Sequence, residues 1–141
     1  MRGPQPPTSE WQTATIGELF QIKDRERVPV NASERAHRTG SVPYYGATGR
    51  VGWIDDFLFD EELILLGEDG APFLEPDKPK AYVIRGKAWV NNHAHVLRAL
   101  GSTPSGFWKH QLDRADYHGF VSGTTRLKLP QGSMRQLVLL V

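Results

Sequence analysis

Cysteine is absent from the 141 residues, which excludes a disulfide framework and any thiolate metal site and fits an intracellular, cytoplasmic protein. Long apolar runs are lacking as well. The longest stretches, residues 63–66 and 137–141, are far too short to cross a bilayer as a helix, so no membrane role is expected. Catalytic signatures are equally scarce. No serine sits in a Gly-x-Ser-x-Gly elbow, and neither a P-loop nor a Gly-x-Gly-x-x-Gly fingerprint occurs, so the sequence offers no convincing catalytic centre and no motif for a nucleotide or methyl-donor cofactor. Net charge is only +1, but the charges are segregated. Nine of the 16 acidic residues and none of the 17 basic ones fall between Asp55 and Asp77. That pattern predicts either a positive and a negative face or a set of loops whose charges intermingle in space.

What is present is a chain of ordinary globular composition, 39% hydrophobic and 23% charged, long enough for one domain. Residues 1–10, with three prolines, read as a disordered polar leader rather than a signal peptide, and a single domain is expected over residues 11–141. Thr15-Ile16-Gly17-Glu18 has capping-box spacing and predicts a helical turn over residues 16–20. Residues 24–40 carry Arg25, Arg27, Arg35 and Arg38 without a clear period and read as a long functional loop. Short strands follow at residues 42–45, 51–54, 63–66, 81–85, 88–91 and 94–100, many separated by glycine, with 63–66 apolar throughout and therefore central. Pro104 opens a predicted helix over residues 104–115, with Ser102 and Thr103 as candidate caps and Phe107, Trp108, Gln111 and Leu112 near one stripe. A strand at 126–129, a helical turn at 131–136 and a strand at 137–141 complete the pattern. Ending in an apolar run, the sequence reads as a domain cut from a longer protein.

Two features invite a chemical reading. His93 and His95, at i and i+2 on an expected strand, would share a face. A zinc site needs a third and usually a fourth ligand, for which Glu68 and Asp69 are available, and a metal-dependent nuclease built on His93, His95 and Glu68 is one alternative function. The other reading leaves the histidines structural, with no metal. The second feature is a set of polar, glycine-bounded turns: Tyr44-Tyr45-Gly46-Ala47-Thr48-Gly49-Arg50, Gly67-Glu68-Asp69-Gly70, Gly86-Lys87, Asn91-Asn92-His93 and Ser122-Gly123-Thr124-Thr125-Arg126. Asn, Arg and Lys read base edges, Ser and Thr hold phosphates, and glycine permits close backbone approach. Five such turns point to a loop-built binding surface. A protein-interaction module docking through the acidic segment 55–77 is the remaining alternative.

In order along the chain, these segments resemble the target recognition domain of a type I restriction–modification specificity (S) subunit. The matching pieces include Trp11…Gly17-Glu18-Leu19, Tyr44-Tyr45-Gly46-Ala47-Thr48-Gly49…Gly52-Trp53-Ile54 and Leu63-Ile64-Leu65-Leu66-Gly67-Glu68-Asp69-Gly70. They continue in Lys87-Ala88-Trp89-Val90-Asn91-Asn92-His93-Ala94-His95-Val96-Leu97 and Ser122-Gly123-Thr124-Thr125-Arg126-Leu127-Lys128-Leu129. The resemblance implies an α/β (α+β) fold of curved, mostly antiparallel sheets with a few short helices. It implies a non-catalytic subunit that reads one half of a bipartite double-stranded DNA target for methyltransferase (M) and restriction (R) subunits. The chain departs from a full S subunit in having one recognition domain and no helical spacer, which puts methyltransferase docking by this chain alone in question. On this reading Lys87, Thr125 and Arg126 hold phosphates, and Arg35, Arg38 and Arg50, with residues near Thr48, read bases. Tyr45, Asn91, Asn92, His93, Ser122 and Thr124 complete the expected DNA-binding set, and no cofactor is expected.

Overall fold

The computed structural model describes residues 12–141, so the expected leader and the domain start at Trp11 lie outside the described residues. Among the described residues ten strands and four helices follow in order: β1 (Thr13–Thr15), α1 (Ile16–Leu19), β2 (Phe20–Ile22), α2 (Ala32–Ala36), β3 (Val42–Tyr45), β4 (Arg50–Ile54), β5 (Phe59–Asp60), β6 (Leu63–Gly67), β7 (Ala81–Ile84), β8 (Lys87–Val90), β9 (Ala94–Ala99), α3 (Ser105–Arg114), α4 (Gln131–Gln136) and β10 (Val138–Leu140). They form two four-stranded sheets, ordered β2-β9-β6-β7 and β4-β3-β8-β5, and a β1-β10 ribbon. Every pairing is antiparallel except β3 with β8. The expected class, a mixed α/β fold of mostly antiparallel sheets with few short helices, is what the chain adopts.

The two sheets stack because β6 is apolar on both faces. Side chains alternate across a strand, so Ile64 and Leu66 join a core with Phe20, Trp108, Leu112 and Met134 under the helices, while Leu63 and Leu65 join Ala88, Val90 and Val96 against the second sheet. A continuous apolar run is the signature of a strand covered on both sides. The outer face of the second sheet is covered by residues 24–40. Val30 packs with Tyr44, Ile54 and Trp89. The Tyr44 hydroxyl donates to the Val30 carbonyl at 2.9 Å, and Trp89 Nε1 donates to the Val28 carbonyl at 2.7 Å. The predicted loop is thus a strap, holding a single 3-10 turn (Asp24–Glu26) and α2.

Other expectations change in detail. The capping box at Thr15 and Glu18 is formed, each side chain satisfying the other's backbone amide. Helix α3 takes Pro104 as its N-cap without side-chain help from Ser102 or Thr103, because proline already supplies the extended entry to the first turn. Residues 126–129 form no strand. Gly123 turns the chain at φ +99°, and Lys128 pairs back onto Ser122 through both backbone groups, as an isolated bridge. Among the described residues no helix is long and apolar enough to cross a membrane.

Candidate nucleic-acid interface

Strand direction gathers the polar turns at one edge. Parallel strands β3 and β8 both end there, opening the turns at 46–49 and 91–93. β6 ends there too, paired so that Gly67 faces Ala94 at the start of β9. The turns are then tied to one another through the backbone. The Asn91 amide donates to Tyr45 O at 3.1 Å, Glu68 N to His93 O at 2.8 Å, Gly70 N to Leu127 O at 2.8 Å, and Leu129 N to Glu68 O at 2.7 Å. Asn91 Oδ1 accepts the His93 amide at 2.8 Å, an Asx-type turn that fixes the tip.

Thr48, Asn91, His93, Asp69 and Arg126 line an open depression of about 250 Å³ between these turns. Arg126 Nε donates to Asp69 Oδ1 at 2.7 Å, and His93 Nδ1 stands 3.4 Å from Asp69 Oδ2. Gly70, at φ +81°, lies under the Arg126 guanidinium, which a β-carbon there would meet at 3.4 Å. Burial works against the Asp69 carboxylate, but the Arg126 hydrogen bond and charge, with Lys128 and His93 beyond, hold it below the usual range. Asp69 is therefore an anionic anchor for surface cations. Beside it, Ser122, Thr124 and Thr125 are exposed in the turn before Arg126.

The remaining predicted residues lie elsewhere on the second sheet and the strap, each cation seated on an aromatic ring. The guanidinium carbon of Arg35 is 4.4 Å from the Tyr44 ring centre, that of Arg38 4.8 Å from Trp89, and that of Arg50 4.4 Å from Trp53, with Lys87 Nζ 4.9 Å from Phe57. Arg38 also pairs with Asp55 at 2.9 Å. Strand β8 begins at Lys87 and leads at its other end into Asn91, so Lys87 is not part of the depression. Tyr45 packs inward near Tyr82, and Asn92 is exposed at the tip.

His93 and His95 do not share a face. β9 begins only at Ala94, which leaves His93 in the turn and sends His95 fully into the interior. There it meets Asp24 and Glu68, their ligand atoms within 4.8 Å of one another. Asp24 is the residue that sequence reasoning missed. A lone aspartate heading a loop carries no local sign that it will be buried 71 residues away from its histidine partner. The Arg27 guanidinium, 2.9 Å from Glu68 Oε1, already supplies the positive charge that a metal would bring to this group. The acidic segment also loses its separateness: Asp55, Glu61, Glu62, Glu68, Asp69 and Glu75 are all ion-paired. Charges intermingle, which removes the acidic docking face.

The arrangement defines a layered α/β scaffold that presents polar turns at a sheet edge. Its relatives are consistent. The chain is 31% identical over 129 residues to a putative type I restriction enzyme specificity subunit, S.HindORF215P, of Haemophilus influenzae, covering 92% of this chain and 32% of that protein. It is 23% identical over 133 residues to the EcoprrI specificity subunit of Escherichia coli, covering 94% and 32%. The fold matches the S subunit of a type I system from M. genitalium, with TM-score 0.66 at 16% identity over 94% of this chain and 34% of that one. It also matches the HsdS subunit of Thermoanaerobacter tengcongensis, with TM-score 0.55 at 12% identity over 99% and 34%. No family model matches the chain. The chain spans about a third of the length of these relatives, and over that third it is homologous to the specificity subunits of type I restriction enzymes.

Proposed function

We propose that this chain is a target recognition domain that reads a short double-stranded DNA sequence, one half of a bipartite target, for the methyltransferase and restriction subunits of a cytoplasmic type I system, and that it does no chemistry itself. The observation that carries the reading is the convergence of the turns at 46–49, 68–70, 91–93 and 122–126 on one sheet edge in a chain related to specificity subunits. Arg126, Thr125 and Lys87 hold phosphates; Arg35, Arg38 and Arg50 read bases beside Thr48. A guanidinium stacked on a ring gives up little further freedom on pairing with a guanine edge, and to make that pairing Arg38 exchanges Asp55, and Arg35 the Val30 carbonyl, for the base. Asn91, Asn92 and His93 shape the tip, while Tyr45, Ser122 and Thr124 build its flanks.

The test is selection from a pool of random duplex DNA at low salt without metal, followed by sequencing. The expected outcome is enrichment of a motif of a few base pairs in uncut DNA. Cleavage with added Mg²⁺ or Zn²⁺ that is lost in His95→Gln would overturn the reading in favour of a nuclease.

A further inference from the structure

Beneath the turns lies a closed ionic cluster. The His95 ring is fully buried. Its Nδ1 is 2.6 Å from Asp24 Oδ2 and 3.2 Å from Glu68 Oε1, and its Nε2 is 2.7 Å from the Leu129 carbonyl. Both ring nitrogens thus face acceptor oxygens. Asp24 Oδ1 accepts the Val96 amide at 2.7 Å, and Oδ2 also accepts Gln131 Nε2 at 3.1 Å. Arg27 shares Glu68 Oε1 with the ring. Its Nη1 donates to Glu68 Oε1 at 2.9 Å and to the carbonyls of Ala94 at 3.0 Å and Asn92 at 3.4 Å, and its Nε donates to the Asp24 carbonyl at 2.8 Å. The Asp24 and Glu68 carboxylates thus face the Arg27 guanidinium and the His95 ring within one buried group.

Most of these contacts end on a segment of the interface. The Arg27–Glu68 pair grips the turn at 68–70, the Asn92 carbonyl belongs to the turn at 91–93 and the Ala94 carbonyl to the start of β9 that follows it, and Leu129 and Gln131 anchor the far end of the 122–129 segment. The strap of residues 24–40, which carries Arg35 and Arg38, is pinned at its start by Asp24. Removing one partner would leave buried polar atoms unpaired and free these segments to shift against one another.

Resting on the DNA-recognition reading above, we propose that Asp24, Arg27, Glu68 and His95 act as positioning residues that set the interface turns in one fixed register. They determine sequence discrimination while Asp24 and His95 remain out of reach of the DNA. Discrimination needs side chains held to a fraction of an ångström, whereas phosphate attraction tolerates displacement. Loosening the cluster therefore costs discrimination before it costs general affinity.

The experiment compares the full chain with Asp24→Asn and with the milder Arg27→Gln, in case the first does not fold. Amide hydrogen exchange without DNA is expected to quicken about tenfold or more at Glu68, Gly70, Lys128 and Leu129 while Ile64 and Leu65 hold their protection. In duplex selection, the preference for the enriched motif over random DNA is expected to fall about tenfold or more while affinity for random DNA changes less than about twofold. Unchanged exchange at the turns in both variants, or exchange raised equally in β6, overturns the proposal, as does an equal loss on every duplex. A Zn²⁺-induced rise in Tm seen in the wild type and lost in His95→Gln overturns it in favour of a metal site. If the wild-type chain enriches no motif, the DNA reading fails and takes the claim on discrimination with it, while the exchange comparison still decides separately whether the cluster holds the turns.

Discussion

Arg126 and Arg50 carry the same charge in different settings, and the difference sets what each substitution does. Arg126 is fixed by Asp69 at the mouth of the depression, beside the exposed hydroxyls of Ser122, Thr124 and Thr125. Arg126→Ala is expected to weaken binding to all duplexes alike and to reduce the slope of log affinity against log salt by about 1. Arg50, stacked on Trp53, is expected to behave as a reader: Arg50→Ala should relax a single base position, at a cost of about 1–3 kcal/mol in discrimination. Competition titrations against single-base variants of the selected site at two salt concentrations separate the two patterns. A third residue governs acid behaviour. Hydrogen bonds from Arg98, outweighing modest burial, with Lys23 beside them, hold the Glu61 carboxyl at about 2. A lowered carboxyl stabilises the fold above its ordinary range and loses that contribution as pH falls through the folded value. Stability should therefore fall between about pH 4.5 and pH 2. Thermal unfolding across that range should show a shallower acid limb in Glu61→Gln. Asp24, also held low once His95, Val96 and Gln131 overcome its burial, acts in the same direction.

At the scale of elements, legibility followed how local the stabilising contacts are. The capping box at α1, the apolar run of β6 and the amphipathic α3 can be read because their signals lie within a few residues of the structure they predict. For α4 the predicted and observed bounds coincide. The strands that escaped notice are β1, β2 and β5. Each has three residues or fewer, and each is held by a distant partner: Thr13 lies opposite Leu140, Phe20 opposite Ala99, and Phe59 opposite Ala88. No periodicity accumulates over so short a span. The same contrast predicts stability. Leu65→Ala, on the strand covered from both sides, should cost about 2–5 kcal/mol in denaturant unfolding. Thr15→Ala, which removes a single cap, should cost about 0.5–2 kcal/mol.

For the whole molecule, sequence by itself determined the class of the fold, the central strand, the polar turns and the kinship to specificity subunits, because composition, local spacing and motif order express these directly. Tertiary structure decided how they combine. It sent His95 inward and left His93 at the surface, since β9 starts one residue after His93. It dissolved the apparent acidic face by seating basic residues from other parts of the chain against five of its nine acids, with Glu75 pairing locally with Lys78. It placed Lys87 at the far end of the strand that leads to Asn91, and it buried Asp24 under the turns. Each of these outcomes depends on which strands pair and in what register. Pairing is set by the stacking of two sheets through β6, a property of the assembled core that no window of local sequence contains.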